Sequence, residues 1–202
     1  MSSRTRLPTA ERQRQIAEAA LRIIATRGVR QLTAVALAAE VGIADGTIFR
    51  HFKSMEEVVE AAIDRFETAL ASTFPPEEGE ALDRLGAFLV NRLKLVRQKP
   101  ELMMLVFSGR LAEAGGEAGA VRVGKIVARS VHFLRDCLAE AQRRGEVSQD
   151  TPVMLLVWMV IGVIRGASGG GHGTPVDTGL GSEQPETVRR ELERFLRRSG
   201  RP

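Results

Sequence analysis

The sequence predicts an all-α fold of about nine helices, with an N-terminal helix-turn-helix head ahead of a larger helical body. Three observations carry this. Apolar residues recur at helical spacing along the whole chain. The composition is rich in Ala, Leu, Glu and Arg, which favour helix. Aromatic residues make up only 4% of the 202 residues, with no tyrosine and one tryptophan, whereas the strands of a sandwich or barrel draw on aromatic and β-branched side chains. No alternating apolar stretch and no internal repeat is present.

The elements follow in order. Ile16, Ala19, Ala20, Ile23 and Ile24 form the stripe of a first helix, closed by Gly28. Thr33 offers an N-cap to a short helix that turns Leu37, Ala38 and Val41 inward. Gly42 breaks it, and a second short helix runs over residues 45–51. Ser54 and Glu57 form a capping box for the next helix, whose stripe is Val59, Ala62, Ile63, Phe66 and Leu70. Leu82, Leu85, Leu89, Leu93 and Val96 mark a long helix stopped at Pro100. A shorter helix over 101–110 and a Gly/Ala-rich stretch, 114–119, come next. Val127, Val131, Leu134, Leu138 and Ala141 define a helix closing at Gly145. Thr151 and Pro152 open an apolar helix ending near Gly166. Residues 168–181 have loop composition, and Val188, Leu192, Phe195 and Leu196 stripe a last helix.

Composition and charge exclude several classes. With 44% hydrophobic and 27% charged residues the chain is globular rather than disordered. Cys137 is the only cysteine, which excludes an intramolecular disulfide and suits a reducing cytosol. The N-terminus lacks the apolar core of a signal peptide. The apolar run 153–164 is shorter than the ~18–20 residues a membrane span requires, so a soluble, cytoplasmic protein is expected. His51, His132 and His172 show no metal-ligand spacing, no CxxC or phosphate-binding loop occurs, and Gly169–Gly173 lacks a following lysine. No enzyme, metal or cofactor is expected. The positive charge is concentrated: residues 1–53 hold nine Lys/Arg against four acids, although the whole chain carries only +4. A basic head on a neutral body fits a nucleic-acid partner, and a solvated basic face fits equally.

Residues 33–52 carry the functional signal. Two short helices separated by a glycine-hinged turn are either a helix-turn-helix or a plain helical hairpin. Ala38 is small where the helices cross, and Val41, Ile43, Ile48 and Phe52 are placed to fill the contact. The second helix would present Thr47, Arg50 and His51 to the major groove.

The segment from Asp45 to Phe52, following Ala38 and Val41-Gly42-Ile43, closely resembles the DNA-binding signature of the tetracycline-repressor (TetR-like) family. The likeness extends over about residues 10–60; the rest agrees only in length and helix pattern. It implies a head over 1–54 and a regulatory, dimerising body over 55–202. It also implies that Thr33 and Lys53 contact the DNA backbone and that Thr47, Phe49, Arg50 and His51 enter the groove. Arg4 and Arg6 are candidates for an adjacent minor groove. Three positions depart from the family pattern. Phe49 stands where tyrosine is usual, Met55 where lysine is, and Ala44 where a capping serine is.

For the body, the resemblance implies a homodimer built on the last two helices, with Val157, Ile161, Ile164, Val188, Leu192, Phe195 and Leu196 as candidate contacts. It also implies a pocket for a small inducer, for which Met103, Met104, Phe107, His132, Phe133 and Trp158 are candidate lining; the absence of tyrosine and the scarcity of buried acids point to an apolar one. The expected function is a sequence-specific transcriptional repressor that binds a double-stranded, pseudo-palindromic operator. The competing reading is a helical interaction module whose helix-turn-helix is unused.

Overall fold

A computed structural model of the chain describes residues 8–168 and 183–198. Among them are nine α-helices, two 3-10 segments and no strand. The helices are α1 (Thr9–Arg27), α2 (Ala34–Val41), α3 (Met55–Ala71), α4 (Ala81–Gln98), α5 (Pro100–Ser108), α6 (Arg110–Ala114), α7 (Gly116–Arg143), α8 (Val153–Ala167) and α9 (Pro185–Arg198). The 3-10 segments are Val29–Gln31 and Asp45–Arg50. The all-α class is as expected. Arg4, Arg6, His172 and the glycine-rich stretch 169–173 lie outside the described residues.

The chain gathers into two compact units, Met1–Thr68 with Leu105–Gly124, and Ala69–Met104 with Lys125–Pro202. The first unit is wider than a head of residues 1–54. The α1 helix packs on α6 as well as on α2, and Arg110 donates from Nη1 to the Ala25 carbonyl at 2.6 Å. Its core is the α1 stripe, Ile16, Ala19, Ala20, Ile23 and Ile24, together with Leu37, Ile48, Ala62, Ile63 and Phe66, all buried.

The second unit is organised on α4, against which α8 and α9 pack. Leu82, Leu85, Leu89, Leu93 and Val96 are all buried, as their spacing predicts. Ion pairs rim the α4–α9 contact: Lys94 with Glu186 at 3.0 Å and Arg189 with Asp83 at 3.2 Å.

The α7 helix starts within the Gly/Ala-rich stretch, at Gly116, whose φ of 61° lets the chain leave α6 and turn straight into α7. One expectation changes. The contacts assigned to a dimer are mostly this chain's own core. Val157, Ile164, Val188, Leu192 and Leu196 are buried, while Ile161 is half-buried and only Phe195 is exposed. The α9 stripe is amphipathic because it covers α4 of the same chain. The apolar surface that α8 leaves open is a different face: Met154, Leu155, Trp158 and Met159.

Cys137 is buried, and burial pushes its thiol up to about 11. The thiolate is the reactive form. Alkylation by iodoacetamide at pH 8 is therefore expected to be slow in the native protein and to become fast only in denaturant. Rapid native alkylation would contradict the burial.

Candidate nucleic-acid interface

The helix-turn-helix is built from α2, the turn at Gly42 and the segment Asp45–Arg50. Thr33 has extended backbone and its hydroxyl accepts from the Ala36 N–H at 3.1 Å, capping α2 as the sequence suggests. Gly42 ends α2 in the left-handed region, with φ 74° and ψ 41°, a conformation that disfavours a residue bearing Cβ. Ala38 is buried at the crossing, while Val41 and Ile43 are half-buried.

Neighbouring helices hold this pair in place. Glu40 of α2 binds Arg22 and Arg27 of α1 at 3.1 and 2.9 Å. Gln13 of α1 donates from Nε2 to the His51 carbonyl at 2.8 Å. Ser54 caps α3 as expected, its Oγ accepting from the Glu57 N–H at 3.3 Å, while Glu57 reaches back one residue further than a capping box, accepting from the Lys53 N–H at 2.7 Å. Loss of the Thr33 cap should destabilise the head. Thr33→Ala is expected to lower unfolding free energy by about 1 kcal/mol, read from urea denaturation; no change would show the cap to be dispensable.

The second element, the short helix expected over 45–51, is a 3-10 helix over Asp45–Arg50. Ala44 supplies no side-chain cap, and the Thr47 and His51 N–H groups donate to carbonyls three residues back, Ala44 and Ile48, at 2.9 and 3.0 Å. His51, at the C-cap, lies three residues after the fully buried Ile48 and so on the same side of the helix. It is accordingly half-buried, its Nδ1 enclosed without a hydrogen-bond partner. Thr47 is also half-buried. The accessible set is Thr33, Phe49, Arg50 and Lys53, with Phe49 at 52% exposure.

Sequence reasoning missed Val35, in the first turn of α2, which is 66% exposed. It and Phe49 are the two large apolar side chains left open among residues 8–54. The signal was its place off the Leu37/Ala38/Val41 stripe. The basic excess is also sharpened by pairing. Arg14, Arg22 and Arg27 are matched to acids. Arg30, Arg50 and Lys53 are exposed, with no carboxylate partner among the described residues. These are the cations left to meet phosphate. Asp45 turns inward on its own backbone, accepting from the Gly46 N–H at 2.8 Å.

The residues expected to line an inducer pocket are dispersed. In the second unit Met103 is buried, Met104 half-buried, and His132 and Trp158 exposed. Both belong to helix faces turned to solvent, so neither lines an interior cavity of the chain. Phe133 is half-buried in a ring cluster with Phe74 and Phe88. Phe107 belongs to the first unit and is half-buried. That unit holds a cleft of about 500 Å³ between α3 and the start of α7, lined by Glu56, Val59, Glu60, Ile63, Gly119 and Arg122 among others. None of the expected lining residues borders it.

Residues 16–62 match the family described as bacterial regulatory proteins, tetR family. The chain is 27% identical over 160 residues to the nucleoid occlusion factor SlmA of Vibrio atlanticus (strain LGP32), covering 77% of this chain and 81% of that protein. Its fold is similar to that of the ketosteroid transcriptional regulator KstR2 of Mycobacterium tuberculosis, with TM-score 0.70 and 18% identity over 92% of each chain. It is also similar to AibR, solved in complex with isovaleryl coenzyme A and operator DNA, with TM-score 0.68 and 18% identity over 92% of this chain and 97% of that one.

Proposed function

We propose, from the match of residues 16–62 to the tetR family of bacterial regulatory proteins, that this chain is a DNA-binding transcriptional regulator of that family, a ligand-responsive repressor acting as a homodimer on a pseudo-palindromic operator. The observation that carries the DNA contact is the open face of the helix-turn-helix. Arg50 and Lys53 stand there without carboxylate partners, beside an exposed Phe49 and the exposed cap Thr33. Arg50 and Lys53 supply charge to phosphates and base edges. Phe49 and Val35 supply apolar contact to sugar or thymine methyl groups. His51, half-buried and held at its carbonyl by Gln13, is read as positioning the turn.

The dimer reading is supported by α8. Met154, Leu155, Trp158 and Met159 form one exposed apolar face, at 38%, 54%, 59% and 36% exposure. A contiguous exposed apolar face marks an interaction site, and a second copy is the occupant a regulator of a pseudo-palindrome requires. Phe195 of α9 is also half exposed. Two heads then enter successive major grooves, roughly 34–36 Å apart. A ligand that favours another body conformation releases DNA in proportion to its differential affinity. AibR, with its acyl thioester and operator, is the precedent for testing small organic acids and their thioesters as the inducer. Sedimentation of the purified chain should give a dimer. Gel shifts on the DNA flanking its own gene should give a complex that such a ligand dissolves. A monomer, or a complex indifferent to every ligand tried, would remove the corresponding part of the proposal.

A further inference from the structure

Among the described residues Arg92 is the only buried charged side chain, at 3% exposure. It projects from α4 into a cluster of three phenylalanines: Phe88 lies 5.3 Å from Phe74 and 5.1 Å from Phe133, centroid to centroid. Its guanidinium rests 4.8 Å from the Phe88 centroid, and Nη2 donates to Ser130 Oγ at 3.1 Å. Its Nε is enclosed without a partner. Arg65 and Arg84 also enclose an unbonded Nε, but each has a carboxylate, Glu18 at 3.1 Å and Glu140 at 2.5 Å. Arg92 has none. Desolvation alone acts on it, pushing the guanidinium down to about 10, so it stays cationic at neutral pH.

A buried cation with one neutral acceptor is destabilising unless an anion completes it. The surroundings say which kind of anion. Ser130 is half-buried and has a proton to donate once an acceptor arrives. Arg129, exposed, rests 4.7 Å from the Phe74 centroid and adds a second positive charge where the cluster meets solvent. Phe74 and Phe133 are half-buried, leaving ring surface for an apolar body.

We propose that Arg92, Ser130 and the Phe74/Phe88/Phe133 cluster form the effector site, which takes a small molecule with an anionic group on an apolar body. The anionic group pairs with Arg92 and accepts from Ser130, while the apolar part lies on Phe74 and Phe133. This rests on the ligand-responsive reading above and replaces the purely apolar inducer expected from composition. The anion is supplied either by a carboxylate or by the phosphates of a coenzyme A thioester.

The test is calorimetric titration of the full chain with hexanoate, decanoate and palmitate, with their coenzyme A thioesters, and with decanol as the neutral control. At least one anion should bind, and decanol should bind distinctly more weakly. Binding confined to the acids identifies the carboxylate, and binding confined to the thioesters identifies the phosphates. Arg92→Met should weaken the anion roughly ten- to hundredfold and leave decanol unchanged. Without ligand it should melt no lower than the parent, because an apolar side chain of similar length replaces an unpaired buried charge. Ser130→Ala, at a half-buried position that tolerates truncation, should weaken the anion several-fold even if Arg92→Met does not fold. Failure of every anion to bind, equal binding of decanol and decanoate, or unaltered anion affinity in the variants would overturn the site. Operator release is scored separately. Anion binding without release leaves the site standing and removes the ligand-responsive reading.

Discussion

Trp158→Glu should convert the dimer into monomers and abolish operator binding. Trp158 is the largest and most exposed side chain of the α8 apolar face. In an isologous pair it meets its own face on the partner copy, so each dimer carries the substitution twice. A buried tryptophan at the centre of such a contact is worth on the order of 2–4 kcal/mol on truncation, and an unpaired carboxylate in its place adds a desolvation cost. A dissociation constant raised at least about a hundredfold is expected, equivalent to about 2.7 kcal/mol. Because Trp158 is exposed within one chain, the variant should keep its helical circular dichroism. Sedimentation equilibrium reads the outcome, and a dimer that survives Trp158→Glu would move the interface elsewhere.

Arg50→Ala should weaken operator binding by about 1–3 kcal/mol and relax discrimination at the base pair it reads. Lys53→Ala, placed against phosphate, should weaken binding to all sequences alike and lower the salt slope by about 0.9 for each phosphate it no longer neutralises. The two side chains are exposed and pair with no carboxylate among the described residues, and the Lys53 N–H bond to Glu57 is kept in alanine, so neither change should alter the melting temperature. Together the two substitutions should leave little specific binding at physiological ionic strength. The contrast with Arg22 and Arg27 is informative. These are equally basic in sequence, yet both are tied to Glu40. Their replacement should cost stability of the head before it costs charge at the DNA. Filter binding over a range of salt separates the two kinds of effect.

Much of this was legible in the sequence, for a common reason. Where a local rule and the tertiary structure ask for the same residue, the residue reveals the element. Thr33 caps α2, Ser54 caps α3, Gly42 turns the chain, and the α4 leucines are buried. The misses occur where the rule admits two outcomes. Asp45–Arg50 is helical at either 3.0 or 3.6 residues per turn, and the sequence does not choose between them; that His51, three residues after Ile48, leans to the buried side at either period was legible and went unread. The α8 helix is apolar on nearly every side, so its sequence does not say which side meets α4 and which is left for a partner. The α9 stripe is strongly amphipathic, but a stripe does not name the surface it covers, and α4 of the same chain covers it. Arg92 had a signal that went unread. It lies three residues after Leu89 and four before Val96, on the apolar stripe of α4, where a charge is out of place unless something pairs with it.

The central claim is that the open face of the helix-turn-helix grips duplex DNA as one of a symmetric pair. The most direct measurement is hydroxyl-radical footprinting of the purified chain on the DNA flanking its own gene. Two protected patches about one helical turn apart, related by an approximate dyad and absent with the Arg50→Ala, Lys53→Ala double variant, are the predicted result. Uniform cleavage at low salt, or protection that the double variant reproduces unchanged, would contradict the account.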